Sequence, residues 1–258
     1  AGAQGTQISI RADVDSPSGS ASATALLIAT SIDLLWEADS YVPPFYLGRA
    51  LSSAGSRVHI VAIPHFTRPG AADVPASQIS YTWRKDGRVL GSLSGRGKSA
   101  ITIDGPTLYG TETISVEAIS VDGSASGQSI LRLYDTTSEL TMYENQPLFG
   151  IQYHQALGST ISVPKNEMTF VAMPFFAPVQ ALNGSGLEYA WIVNQAPVVT
   201  NTSAANEITI NAASSTGIAL ITLSLTHASN YFFDATGSWN VTFNSRGAGV
   251  SGTNPFGL

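Results

Sequence analysis

At 258 residues the chain is long enough for one large domain or two ordinary ones, and its 43% hydrophobic content excludes whole-chain disorder. Only 12% of residues are charged, lysine occurs at positions 85, 98 and 165 alone, and the net charge of −6 excludes a phosphate-gripping nucleic-acid surface. Cysteine is absent, which removes disulfide frameworks, thiolate metal sites and cysteine nucleophiles together.

The first residues, Ala1-Gly2-Ala3-Gln4, carry neither an initiator Met nor a charged leader and read as a mature end left by removal of an export signal. With 32 serines and 23 threonines the composition is that of an exported, extracellular β-protein. The apolar runs 25–29 and 218–223 are far too short for a membrane helix. Residues 1–31 form an extension. Its alternating run 7–14 predicts a strand with Ile8, Ile10, Ala12 and Val14 on one face. Residues 16–20 read as a linker, and 16–22, when extended, span up to ~25 Å. The strand can then either pair with a neighbouring subunit or close on its own domain as an edge.

Beyond the extension the chain repeats itself. Residues 57–66 match 167–176, 79–83 match 187–191, 100–104 match 207–211, and 113–118 match 220–225. Leu35-Trp36-Glu37 aligns with Met142-Tyr143-Glu144, and 49–52 with 155–158. Six blocks in one order predict two homologous domains, 32–135 and 136–245, followed by a Gly-rich tail, 246–258. Each block is a short run of β-branched and aromatic residues with period-two alternation, separated by Gly, Asp and Pro turn clusters. In 58–63 both faces are apolar, which predicts a central strand. An all-β sandwich follows in each half.

Tyr81-Thr82-Trp83-Arg84-Lys85-Asp86-Gly87, echoed by Tyr189-Ala190-Trp191, resembles the third-strand signature of bacterial immunoglobulin-like and PKD-like domains. The resemblance implies two tandem Ig-like β-sandwiches with Trp83, Trp191, Tyr81 and Tyr189 in their cores. It carries no binding site, because this sandwich hosts many functions. The paired cysteines of antibody domains and the Gly-Asp-Gly run of PKD domains are both missing. Tandem domains of this kind belong to surface proteins, adhesins, filament subunits and spacers of enzymes.

Residues able to do chemistry are sparse. His59, His65, His154 and His227 have no metal-ligand spacing, and no nucleophile elbow, zincin helix or P-loop occurs. The Gly-rich stretch 93–98 reads as a hairpin loop, because no helix follows it. Asp13 with Asp15, and Glu37 with Asp39, are carboxylate pairs that suit solvated strand ends better than calcium. No cofactor or metal is expected, and no enzymatic activity. Asn183, Asn201 and Asn240 fit the glycosylation sequon, which is frequent by chance in a Ser/Thr-rich chain. Two aromatic clusters stand out. Tyr41, Phe45 and Tyr46, beside Pro43-Pro44, have partial counterparts at Phe149 and Tyr153 and read as packing. Tyr231, Phe232 and Phe233 have none, and with the N-terminal strand they form the expected subunit contact. The sequence therefore points to a structural subunit of an extracellular filament or surface layer that polymerises with itself. The alternative is a monomeric adhesive ectodomain that binds a surface glycan.

Overall fold

The computed structural model describes residues 7–28, 30–66, 72–163, 167–182, 186–211, 216–228 and 233–243. The chain divides into two compact units, Ala1–Asp39 with Leu51–Asp135, and Ser40–Ala50 with Thr136–Leu258. The protein is all-β, two immunoglobulin-like sandwiches preceded by a hairpin.

The hairpin is β1 (Gln7–Ser16) and β2 (Gly19–Ile28), which pair with each other in a two-stranded sheet. The first sandwich comprises β3 (Ser31–Ala38), β4 (Arg57–His65), β5 (Ile79–Lys85), β6 (Arg88–Val89), β7 (Gly95–Arg96), β8 (Ala100–Asp104), β9 (Thr111–Ser120) and β10 (Ser126–Tyr134). Its sheets run β3-β4-β8 and β10-β9-β5-β6, with the short β7 also on β5. Alternation does the sorting. In β4, Val58, Ile60 and Ala62 are buried while Arg57, His59, Val61 and Ile63 face out. The inward rows meet Tyr81, Trp83, Ile114 and Val116 from the opposite sheet.

The second sandwich comprises β11 (Glu139–Gln146), β12 (Gly150–Ile151), β13 (Thr160–Val163), β14 (Glu167–Phe175), β15 (Leu187–Val193), β16 (Ala196–Val198), β17 (Glu207–Asn211), β18 (Gly217–His227) and β19 (Asp234–Phe243). Its sheets are β12-β11-β14-β17 and β13-β19-β18-β15-β16, with β13 parallel to β19. The strand order of the first unit recurs, with β12 added at the edge of one sheet and β13 at the edge of the other.

The repeat is visible bond by bond. Trp83 stands opposite Val116 and Trp191 opposite Leu223, and those partners are themselves matched in sequence. Each indole is buried and donates its Nε1–H to a carbonyl two residues before the next strand: Lys98 at 2.8 Å and Ala205 at 2.9 Å. Tyr81 is fully buried, while Tyr189 is half-buried against its core. The hairpin after each Trp turns through two positive-φ residues, Asp86-Gly87 and Asn194-Gln195, as a tight primed turn requires. Asp86 Oδ1 accepts the Thr113 N–H and Asn194 Oδ1 accepts the Leu220 N–H, so one side chain ties each turn to the neighbouring strand.

Three readings of the sequence are corrected. Residues 16–22 are no tether: Ser16 pairs with Gly19 across a two-residue turn, and Ser16 Oγ donates to the Gly19 carbonyl at 3.0 Å. Leu35 is not the counterpart of Met142. Leu34 and Met142 both stand opposite the matched alanines, Ala62 and Ala172, and the block is slipped by one residue. A similarity of residue type hid that slip, although a one-residue shift exchanges the two faces of a strand. Finally, the first sandwich is not contiguous from residue 32 to 135, because Ser40–Ala50 belongs to the second unit.

Candidate functional site

The hairpin is the most unusual surface. Directly opposed residues of an antiparallel pair share a face, so the register puts Ile10, Ala12 and Val14 beside Ala25, Ala23 and Ala21. Arg11, Asp13 and Asp15 lie beside Thr24, Ser22 and Ser20 on the opposite face, with Arg11 Nε 2.9 Å from Asp13 Oδ1. One face is apolar and the other polar. Every described side chain from residue 8 to 25 is exposed, Ile8, Ile10 and Val14 by 46, 51 and 63%. A lone two-stranded ribbon is marginal in water, and an uncovered apolar face marks a contact surface. The N-terminal row was legible from alternation. Its partner was missed because Ala21-Ser22-Ala23-Thr24-Ala25 alternates with small residues and resembles a linker.

The second unit carries an aromatic layer on the outer face of the β12-β11-β14-β17 sheet. Tyr143, Val171 and Met173 point away from the main core, yet all three are buried, with Tyr41, Ile151, Tyr153 and Phe175 packed on them. The covering segment is anchored by an exchange of backbone bonds, Tyr41 N–H to Ala177 O at 2.8 Å and Phe176 N–H to Tyr41 O at 2.7 Å. The Tyr41 hydroxyl donates to Met173 Sδ at 3.1 Å. Tyr46 meets Phe175 edge-on at 5.6 Å, and Tyr143 lies 5.7 Å from Tyr153. Phe45 is exposed.

Burial, followed by neighbouring Tyr153, Tyr143 and Tyr189, pushes the Tyr41 hydroxyl up to about 12. The folded value lies above the unfolded one, about 10, so this contribution is full below pH 10 and lost as pH rises through 12. Tyr41→Phe cannot ionise there. Its stability is therefore expected to fall less steeply between pH 10 and 12, as read by alkaline titration of the unfolding midpoint. Superimposable profiles would remove Tyr41 from the layer.

The remaining candidates scatter. Phe233 is buried among Ala177, Leu225 and Ala235, so it is a core residue and not a subunit contact. Period two turns it inward at the mouth of β19. Tyr231 and Phe232 lie outside the described residues, as does Asn183. His59 Nδ1 lies 2.9 Å from Thr102 Oγ1, and His65 Nε2 3.0 Å from Asp33 Oδ2. His154 is exposed in the second unit, and His227 stands opposite Leu187. Asp39 pairs with Arg57 at 3.1 Å, while Glu37 stands opposite His59. Asn201 accepts from the Ser203 N–H, and Asn240 is exposed on β19. Among the described residues no three His, Asp or Glu side chains are grouped to hold a metal ion, and no helix is long and apolar enough to cross a membrane.

No protein-family model and no curated protein matches the chain. Among solved structures it is similar to the fibronectin(III)-like modules of Clostridium thermocellum CbhA, at 14% identity and a TM-score of 0.27, covering 81% of this chain and 94% of that one. The central fibronectin-III array of RIM-binding protein is 15% identical with a TM-score of 0.25, covering 77% and 67%. The Bacteroides ovatus glucan-utilisation protein SGBP-B, solved with a mixed-linkage heptasaccharide, is 14% identical with a TM-score of 0.23, covering 80% of this chain and 47% of that one. Likenesses this low carry nothing about ligands or partners.

Proposed function

We propose that this chain is a non-enzymatic structural subunit of an extracellular filament or surface layer, and that the β1–β2 hairpin is its docking arm. The observation behind this reading is the ribbon whose apolar face is uncovered at the described side chains from residue 8 to 25. The composition supports it: with 12% charged residues, surfaces can be brought together while few ions lose water. The partner is another copy of the chain, no cofactor takes part, and a net charge of −6 disfavours nucleic acid.

The magnitude fixes what the arm can do. Fully burying an Ile or Val side chain contributes about 1.5–3 kcal/mol, and these three are roughly half covered already. Association costs on the order of 4–15 kcal/mol in lost freedom, so the arm directs assembly but cannot sustain it alone. Substituting Ile8, Ile10 and Val14 together by serine tests the role. Wild-type protein is expected to sediment well above its 27.0 kDa monomer at high concentration, and the triple variant as a monomer with an unchanged melting temperature. Assemblies that persist in a variant of lowered melting temperature would show that the ribbon serves its own sandwich instead. A wild-type chain that stays monomeric and binds immobilised polysaccharide would favour the adhesive ectodomain.

A further inference from the structure

The two sandwiches close one sheet edge differently. In the second unit β19 is flanked by β18 on one side and by β13, in parallel, on the other. In the first unit its counterpart β10 ends the sheet, and among the described residues its one strand partner is β9. A difference in length accounts for this. Between two matched blocks the second repeat holds residues 159–166 and the first only 53–56, four fewer, and β13 is four residues long. In place of a strand the first unit has a turn, with Ser56 N–H donating to Ser53 O at 2.9 Å.

The open edge has a defined row of backbone groups. Ser120 N–H donates to Ala125 O at 2.8 Å, which sets the alternation along β9 and β10. Ser126, Gln128, Ile130, Arg132 and Tyr134 therefore turn their N–H and C=O groups away from β9. Side chains take the two ends: Thr30 Oγ1 donates to Ser126 O at 2.5 Å, and Ser52 Oγ to Tyr134 O at 2.7 Å. Between those ends Gln128, Ile130 and Arg132 are exposed, and Leu131, which faces the core, is only partly buried. An edge of this kind adds a strand readily.

The second unit shows which strand fits. In Thr160-Ile161-Ser162-Val163, Ile161 and Val163 enter the core at 4 and 1% exposure while the polar residues stay out. The arm opens β1 with the same order of side chains, Gln7-Ile8-Ser9-Ile10, and there both isoleucines are bare. Its strands pair only with each other. The side-chain order that the first repeat lacks thus recurs in the arm.

We propose that β1 of a second copy adds in parallel to the edge of β10, with Ile8 and Ile10 turned inward as Ile161 and Val163 are in the second unit. This rests on the docking-arm reading and names the surface that receives the arm. Backbone hydrogen bonds at Gln128, Ile130 and Arg132 then add to the burial of the arm's side chains. The two surfaces differ, so the contact is head-to-tail and builds an open chain of subunits unless the rotation closes a ring.

Ile130→Pro tests the edge, because it removes an outward N–H and leaves the ladder with β9 in place. This variant and the Ile8/Ile10/Val14 serine variant are each expected to sediment as monomers where wild type assembles. Mixed in equal amounts they are expected to form a dimer and nothing longer, since one supplies an arm and the other an edge. An Ile130→Pro chain that assembles like wild type would overturn the edge and leave the arm standing. A mixture of folded variants that stays monomeric would overturn the pairing, and a monomeric wild type would overturn both readings. If proline lowers the melting temperature, hydrogen exchange on the wild-type chain decides. The amides of Gln128, Ile130 and Arg132 are expected to exchange ~10-fold more slowly, or slower still, in assembled than in dilute protein. Unchanged exchange at these three amides in assembled protein would mean that the arm docks elsewhere.

Discussion

Trp83→Ala and Trp191→Ala are each expected to lose about 3–5 kcal/mol, the usual cost of removing a large buried aromatic. Both indoles lie between the sheets at essentially zero exposure, with ring edges tied to the Lys98 and Ala205 carbonyls. Each substitution removes packing from two sheets and leaves a part-buried carbonyl without its donor. Trp→Phe separates the parts: it keeps most of the volume and loses the indole hydrogen bond, at about 1 kcal/mol. The measurement is guanidinium unfolding followed by the fluorescence of the remaining tryptophans. A change under 1 kcal/mol at either site would mean that the two Trp do not play equivalent parts.

How far the sequence carried depended on how local each feature was. Trp83 and Trp191 were legible because a large aromatic in a period-two run, followed by an Asp-Gly or Asn-Gln turn, needs no knowledge of distant residues. The hairpin was half legible: Ile8, Ile10 and Val14 signal a face by bulk, whereas the alanines of β2 signal it by alternation alone. Phe233 looked like an exposed cluster because its neighbours are aromatic, yet only its register on β19 decides its direction. The membership of Ser40–Ala50 was not legible. Nothing within Pro43-Pro44-Phe45-Tyr46 states which sheet the loop will lie on, since its partners are more than a hundred residues away at Met173, Phe175 and Ala177. The same non-locality hid the contrast between Val61 and Val171, identical residues at matched positions with opposite exposure.

That contrast gives a sharp result. Met173→Glu is expected to destabilise the second unit by about 3 kcal/mol or more at pH 7, because a carboxylate under Tyr41 loses its water and gains no cation. The buried acid would titrate above its unfolded value near 4.3, so the penalty applies in full above the folded value. It shrinks as the pH falls towards 4, where the neutral acid can be buried. Ile63→Glu changes the same position of the repeat where the face is open. It is expected to cost about 1 kcal/mol at pH 7, well under the cost of Met173→Glu, since its carboxylate reaches solvent although it stands opposite Asp33. Thermal unfolding of both variants at pH 7 and pH 4.5 reads the difference. Equal costs would mean that Ser40–Ala50 does not seal the second sheet.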